Sequence, residues 1–140
     1  MPDPGASYDQ GARNAPIARV LVVDDDRVVA EMFRLALSRA GHEVLIANDG
    51  VAALQSVATS APDIVFLDVR MPRMDGPEVL RNLAADKATQ DIPVVMLSNY
   101  DDPGLIRQTR DLGAREYMVK AGTNPADLDL VVSRWVKPTG

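Results

Sequence analysis

Five short apolar segments alternate with segments of helical character along the chain, and this alternation limits the possible folds more than any other feature. The apolar segments have the composition of buried strands and comprise residues 18–23, 43–47, 63–67, 92–97 and 116–119. When helices of about ten to fifteen residues separate consecutive strands, the strands pair in parallel through right-handed crossovers. We therefore expect an α/β fold in which helices cover both faces of one parallel sheet.

Capping residues and hydrophobic spacing predict five helices. The first ends at Gly41 and carries a helical stripe of apolar residues, namely Val29, Met32, Phe33, Ala36, Leu37 and Ala40. The others are predicted to run from Asp49 to about Thr59, from Asp75 to about Asp86, from about Asp102 to Leu112, and from Asn124-Pro125 towards Trp135. His42 lies in the turn after the first helix, where a solvated surface position is expected.

The composition fits a single soluble domain and excludes several kinds of chemistry. The chain has 140 residues with 15 basic and 20 acidic side chains, and its net charge of −5 disfavours direct binding of nucleic acid or an anionic membrane. It has no cysteine and one histidine, which excludes thiolate chemistry and most histidine-based metal sites. We expect a disordered leader at 1–16, one domain at 17–137 and a frayed tail at 138–140, in a cytoplasmic protein without an output domain.

The second predicted strand ends in Ala47-Asn48, which offers nothing comparable to the charged or hydroxyl-bearing residues after the other four strands. Those residues are Asp24, Asp25 and Asp26 after the first strand, Asp68 after the third, Ser98 after the fourth and Lys120 after the fifth. Ligands of parallel sheets bind beyond the carboxyl ends of the strands, so these side chains are expected to converge. Two carboxylates about 4 Å apart repel by roughly 4 kcal/mol at an effective dielectric constant of about 20, which Lys120 alone cannot offset for the whole cluster. The oxygen-rich set predicts a Mg²⁺ and phosphoryl site, with Asp26 serving as N-cap of the first helix.

The segments that carry these residues resemble the receiver domain of bacterial two-component response regulators, which has the CheY-like fold. Four segments match in order: Val-Leu-Val-Val-Asp-Asp-Asp at 20–26, the phosphoacceptor loop Leu-Asp-Val-Arg-Met-Pro-Arg-Met-Asp-Gly at 67–76, Val-Val-Met-Leu-Ser at 94–98, and Glu-Tyr-Met-Val-Lys at 116–120. The resemblance covers about residues 18–136. It implies a doubly wound, flavodoxin-like (βα)5 fold with a five-stranded parallel sheet of order 2-1-3-4-5.

The resemblance also implies the phosphoacceptor and the metal ligands. Asp68 would accept the phosphoryl group. Mg²⁺, with Mn²⁺ as a substitute, would be held by the carboxylates of Asp24, Asp25 and Asp68 and by the backbone carbonyl of Arg70.

Further roles are implied around the phosphoryl group. The Ser98 hydroxyl would bind a phosphoryl oxygen, Lys120 would pair with the phosphate, and Tyr117 would change rotamer when the hydroxyl moves. Arg70, Asn99 and Tyr100 lie at positions that tune the lifetime of the phosphoryl group, and we expect the bulky ones to shield it from water.

The implied function is that of a stand-alone response regulator rather than an enzyme. A histidine kinase or phosphotransfer protein would donate the phosphoryl group, and the phosphorylated domain would bind a protein target or a second copy of itself. The expected binding face is formed by the fourth helix, the fifth strand and the fifth helix; it bears Arg107, Arg110, Arg115, Tyr117 and Leu130.

The sequence departs from the family pattern after Lys120. The family commonly has proline there, often in cis, whereas this chain has Ala121-Gly122, so we expect a trans peptide and a loop of different shape. Asn99 is larger than the small residue usual at its position and is expected to narrow access to the phosphate.

Two alternatives stay open. Residues 22–28, Val-Val-Asp-Asp-Asp-Arg-Val, also match the nucleophile motif of haloacid-dehalogenase-like phosphatases, which would use Asp24 and Asp26. That family needs a later acidic pair, and beyond Lys120 only Asp127 and Asp129 remain, inside a predicted helix. The second alternative is an interaction module that binds partners without phosphate.

Overall fold

One five-stranded parallel sheet organises the protein. The computed structural model describes residues 17–137, so the predicted leader at 1–16 and tail at 138–140 lie outside the described residues. The strands are β1 (Arg19–Val23), β2 (Glu43–Ala47), β3 (Ile64–Leu67), β4 (Val94–Ser98) and β5 (Glu116–Val119), in the order β2-β1-β3-β4-β5. The helices are α1 (Arg27–Arg39), α2 (Gly50–Ser60), α3 (Gly76–Ala85), α4 (Pro103–Asp111) and α5 (Leu128–Trp135). The predicted fold class and strand order are confirmed.

Alternate residues of each strand pack into two separate core layers. In β1, Leu21 and Val23 face the layer under α2 and α3, whereas Val20 and Val22 face the layer under α1 and α5. All four of these side chains are buried, which is the two-sided burial that a continuous apolar strand requires. The central strands β1, β3 and β4 are covered on both faces, whereas the edge strands β2 and β5 are only partly buried.

The predicted starts of the first four helices agree with the caps in the structure. Asp26 accepts hydrogen bonds from the backbone N–H groups of Val28 and Val29, and Asp49, Asp75 and Asp102 cap the next three helices in the same way. Gly41, with φ of +101°, follows α1 as predicted. Across residues 17–137 none of the helices has the length and apolar character that a membrane crossing demands.

The buried face of α1 is rotated from the one predicted. Ala30, Phe33 and Leu37 are fully buried, but Met32, placed in the predicted stripe, is 45% exposed. The helix is covered by β1, β2 and α5 on one side only, so a stripe as wide as the predicted one cannot be wholly buried.

The chain between β5 and α5 forms two turns of 3-10 helix instead of a longer α-helix. These turns are Lys120–Gly122 and Pro125–Asp127, with Asn124 capping the second, so α5 begins later than predicted. All peptide bonds of the described residues are trans, as expected for a loop without the proline. The last turn of α5 is fixed to the first residue of β5, because Trp135 Nε1 donates to Glu116 Oε1 at 2.5 Å and Arg134 pairs with the same carboxylate.

The surface position predicted for His42 is wrong. Its side chain is 1% exposed, Nδ1 accepts a hydrogen bond from the Ala18 N–H at 2.9 Å, and Nε2 lies 2.6 Å from Asp129 Oδ1. The Asp129 carboxylate belongs to the first turn of α5, which covers this corner of the sheet. Burial of the imidazole ring is tolerated because both ring nitrogens have hydrogen-bond partners.

Candidate functional site

The backbone register brings the first and third strand ends to the same point. Val23 pairs with Ala47 on one side and with Leu67 on the other, so Asp24 and Asp68 leave adjacent strands at one edge of the sheet. The Asp68 N–H donates to the Val23 carbonyl at 3.0 Å, which continues the pairing one residue beyond the strands. The carboxyl edge of the sheet thus fixes the backbone of both aspartates.

Three carboxylates converge at this edge. Asp24, Asp25 and Asp68 each offer an oxygen, and these oxygens all lie within 4.8 Å of one another. Asp24 and Asp68 are buried and Asp25 is exposed, so the cluster has one side open to solvent. Hard carboxylate oxygens at this spacing suit a small divalent cation such as Mg²⁺. Asp26 does not join the cluster, since its carboxylate caps α1 as predicted.

Lys120 connects the two buried carboxylates. Its Nζ lies 2.6 Å from Asp24 Oδ2 and 3.2 Å from Asp68 Oδ2, and its side chain is 8% exposed. Burial alone would lower the pKa of Lys120, but the hydrogen bond to Asp24 and the charges of Asp68 and Asp24 outweigh it and raise that pKa. The ammonium group is therefore held in its charged form between the aspartates.

The environment makes Asp68 a weaker acid than a free aspartic acid. Burial raises the pKa of Asp68 to about 6 in spite of the Lys120 charge, and the charge of Asp24 adds to the rise. Its Oδ1 accepts the Val69 N–H at 2.8 Å and its Oδ2 faces Lys120. Two carboxylates with one ammonium are short of positive charge, which is the condition that a bound cation would relieve.

The loop after Asp68 is held closely against the sheet and the neighbouring helix. The Gly76 N–H donates to the Val69 carbonyl at 2.7 Å, and a Cβ on Gly76 would overlap the Asp68 carbonyl oxygen. Arg73 has φ of +69°, and its Nη2 lies 2.6 Å from Asp49 Oδ2, at the start of α2. Both ends of the loop therefore have little freedom to move.

The predicted switch residues form a second group beside the cluster. Ser98 is fully buried, and its Oγ accepts the Tyr100 N–H at 3.0 Å. The Tyr117 hydroxyl donates to the Tyr100 carbonyl at 2.5 Å, and the Arg70 guanidinium carbon lies 5.1 Å from the centre of the Tyr100 ring. Asn99 is exposed beside them.

Several residues of the site were not predicted. The Asn48 side chain donates to the Asp24 carbonyl at 3.0 Å, although the end of β2 was expected to contribute nothing. The position of β2 beside β1, which the alternation alone does not fix, is what brings Asn48 there. Gly76 belongs to the phosphoacceptor-loop motif, but only the structure shows its close approach to the Asp68 carbonyl oxygen. The pair formed by Arg73 and Asp49 has no signal in the sequence because the partners are 24 residues apart.

The expected binding face carries exposed cations. Arg107 and Arg110 of α4 and Arg115 before β5 are exposed, as is Leu130 of α5. The Arg115 guanidinium carbon lies 5.7 Å from the centre of the Trp135 ring. Tyr117 is half-buried at the edge of the same face.

Comparison with known proteins agrees with this geometry. The family model of the response regulator receiver domain matches residues 20–132. Response regulator MprA of Mycobacterium leprae is 45% identical over 102 residues, which cover 73% of this chain and 44% of that protein, so the chain spans less than half the length of this relative. The chemotaxis response regulator CheY4 of Vibrio cholerae superposes with a TM-score of 0.78 at 31% identity, over 86% of this chain and 99% of that one. The phosphorylated cyanobacterial phytochrome response regulator RcpA superposes with a TM-score of 0.72 at 28% identity, over 84% and 90% of the two chains. The matched region, the strand order and the relatives together show that this chain belongs to the family of response regulator receiver domains of two-component signalling.

Proposed function

We propose that this receiver domain accepts a phosphoryl group on Asp68 from a histidine kinase or a phosphotransfer protein, in a reaction that depends on Mg²⁺. The observation that carries the proposal is the cluster of Asp24, Asp25 and Asp68, whose carboxylate oxygens lie within 4.8 Å and have only Lys120 in ion-pair contact among the described residues. Such a cluster is costly for the folded protein unless a cation is bound there for part of its working cycle.

The metal would be held by the carboxylates of Asp24, Asp25 and Asp68 and by the backbone carbonyl of Arg70; Mn²⁺ would substitute for it. When bound, it would offset the negative charge that a phosphoryl donor brings to the acidic cluster. Asp68 and Asp24 are held by backbone hydrogen bonds to neighbouring strands, so these ligands need little rearrangement.

The chemical step uses Asp68 as nucleophile. One oxygen of its carboxylate attacks the phosphorus atom of a phosphohistidine in line with the leaving nitrogen, so a P–O bond forms while the P–N bond breaks. The imidazole leaves with the electron pair and takes a proton from solvent. Later attack of water on the acyl phosphate releases inorganic phosphate and restores the Asp68 carboxylate.

Other residues respond to the new charge. Lys120 already contacts Asp68 Oδ2 and is the cation nearest to a phosphoryl group on that carboxylate. The Ser98 hydroxyl would donate to a phosphoryl oxygen, and Tyr117 would move with it. Arg70, Asn99 and Tyr100 are exposed around the entrance and would slow the access of water. The solved neighbour RcpA, described as phosphorylated, supports such chemistry on this fold.

The output would be a change in protein binding. We assign it to the face of α4, β5 and α5, because Tyr117 connects the Tyr100 carbonyl near the site to that face. The partner would be a protein target or a second copy of the domain.

The test is labelling by a small phosphodonor. We expect radiolabelled acetyl phosphate to label the wild-type chain only with Mg²⁺ or Mn²⁺, and Asp68→Asn to abolish the label. Asp91→Asn, at an exposed aspartate outside the cluster, is the matched control and should label normally. Label retained in Asp68→Asn would refute the proposal.

The same experiment decides the alternatives. A phosphatase of the haloacid-dehalogenase type would lose its covalent label in Asp24→Asn and keep it in Asp68→Asn. The structure offers no support for that alternative, since Asp129, one of its acidic candidates, pairs with His42 at the amino end of β2. Failure of the wild-type chain to label at all would favour an interaction module that does not use phosphate.

A further inference from the structure

Tyr100 connects three parts of the candidate site that are separate in the sequence. Its backbone N–H donates to Ser98 Oγ at 3.0 Å and its carbonyl accepts the Tyr117 hydroxyl at 2.5 Å. Its ring lies against the guanidinium group of Arg70, at 5.1 Å from the ring centre. The ring contact thus connects the phosphoacceptor loop to Ser98 and Tyr117, the two residues expected to respond to phosphorylation.

We propose that the side chain of Arg70 is a positioning residue that stabilises the resting arrangement of Ser98, Tyr100 and Tyr117, and thereby opposes binding of a phosphoryl group at Asp68. The proposal rests on the proposed function, because it concerns the response of the same site. It assigns the Arg70 side chain a role distinct from that of its backbone carbonyl.

The oxygen of the Ser98 hydroxyl accepts a hydrogen bond from the Tyr100 N–H. Rotation of the O–H bond alone keeps this hydrogen bond, but a rotation of the side chain that carries the oxygen towards a phosphoryl group breaks it unless Tyr100 moves as well. Movement of the Tyr100 backbone would also shift the carbonyl that accepts the Tyr117 hydroxyl. Any contact that holds Tyr100 in place therefore favours the resting arrangement of both partners.

The contact with Arg70 is such a restraint. Tyr100 is 43% exposed, so few neighbouring atoms hold its ring. Arg70 takes part in no ion pair among residues 17–137, and its guanidinium group faces the electron-rich face of the ring. Cation–π contacts at exposed sites change an equilibrium by about two- to fivefold. A contact present only in the resting state lowers the affinity for a ligand of the activated state by the same factor.

The direction in which the affinity changes on removal of the Arg70 side chain distinguishes a restraint on Tyr100 from direct binding of the phosphoryl group. If the guanidinium group contacted the phosphoryl oxygens, its removal would weaken binding of a phosphoryl mimic. If it restrains Tyr100, its removal strengthens that binding. A purely structural contribution would lower stability without strengthening binding at all.

Titration with beryllium fluoride and Mg²⁺, followed by calorimetry, tests the proposal. We expect Arg70→Ala and Tyr100→Leu each to tighten binding about two- to fivefold, and the double variant to bind no more tightly than either single variant. Arg81→Ala, at an exposed arginine of α3, is the matched control and should bind like the wild type. Weaker or unchanged binding in Arg70→Ala, or additive effects in the double variant, would overturn the proposal.

Failure of the proposed function gives a different result. If the wild-type chain bound no beryllium fluoride, or Asp68→Asn bound it equally well, the phosphoacceptor role and the role of Arg70 would both be refuted. If the wild type bound it through Asp68 and Arg70→Ala had no effect, only the role of Arg70 would be refuted.

Discussion

Replacing Lys120 by methionine tests the electrostatic reasoning most directly. The substitution keeps an unbranched side chain of similar length and removes the cation that contacts both buried aspartates. The ammonium group lies 2.6 Å from Asp24 Oδ2 and 3.2 Å from Asp68 Oδ2, and its side chain is 8% exposed. Its loss leaves two carboxylates that have little contact with solvent and, within residues 17–137, no cation paired with them.

The expected cost can be bounded from this geometry. At 2.6 Å, the attraction between unit charges is about 6 kcal/mol for an effective dielectric constant of about 20. Removal of one partner of a buried pair usually costs about 3–5 kcal/mol of unfolding free energy, and we expect a loss in this range for Lys120→Met at pH 7.5 without divalent cations. The loss should be smaller at pH 5, because Asp68, with its pKa raised to about 6, is then mostly protonated.

Urea unfolding followed by circular dichroism, at both pH values and with or without Mg²⁺, provides the measurement. Mg²⁺ should stabilise Lys120→Met more than the wild type, because the metal then supplies the only positive charge in the cluster. Lys87→Met, at an exposed lysine, controls for the loss of a surface charge and should change stability by less than about 0.5 kcal/mol. A metal-free Lys120→Met variant within about 1 kcal/mol of the wild type at pH 7.5 would refute the assignment of Lys120 as the counter-ion.

Four further outcomes are expected. The pKa of Asp68 in the folded protein, about 6, exceeds the 3.8 of a free aspartic acid, so the free energy of unfolding of the metal-free protein should fall as pH rises from about 4 to 6, by at most about 3 kcal/mol. Urea unfolding should show that Asp68→Asn removes this pH dependence. His42→Ala should lower the free energy of unfolding by about 2–3 kcal/mol in the same assay, because both hydrogen bonds of the ring are lost. It should leave the affinity for Mg²⁺, measured by calorimetry, unchanged. Gly76→Ala should lower the free energy of unfolding by about 1–3 kcal/mol and weaken Mg²⁺ binding, because the new Cβ displaces the loop. Gly122→Ala is the control, and because the new Cβ meets open space it should change neither quantity. Arg70→Ala should shorten the half-life of the acyl phosphate in a filter-binding decay assay, and an unchanged half-life would contradict the shielding expectation.

The fold could be predicted because its determinants are local. Each apolar run is short enough to be a strand, and each helix start has a capping residue, such as Asp26 or Asp75, within a few positions of the apolar stripe. The predictions were wrong where the extent of an element depends on its neighbours in the fold. Met32 is exposed because the neighbours of α1 cover only part of its apolar surface, and the helix predicted at Asn124 begins as a 3-10 turn.

The convergence of Asp24, Asp25, Asp68 and Lys120 could be predicted as well, because strand ends of a parallel sheet meet at one edge. The ion pairs that these side chains form could not be predicted. The preference of Lys120 for Asp24 over Asp68 depends on side-chain positions that no spacing rule encodes. The burial of His42 depends on Ala18 and Asp129, which are 24 and 87 residues away in the chain.

The two attachments of α5 have a consequence for how the domain can change shape. Asp129 in its first turn contacts His42 ahead of β2, and Trp135 in its last turn contacts Glu116 at the start of β5. These two strands are the opposite edges of the sheet, so α5 forms a cross-brace that ties them together. By contrast, Thr109 is the only fully buried residue of α4. We therefore expect any deformation of the proposed binding face to be concentrated in α4 and the segment that leads into it, while α5 keeps its position against the sheet.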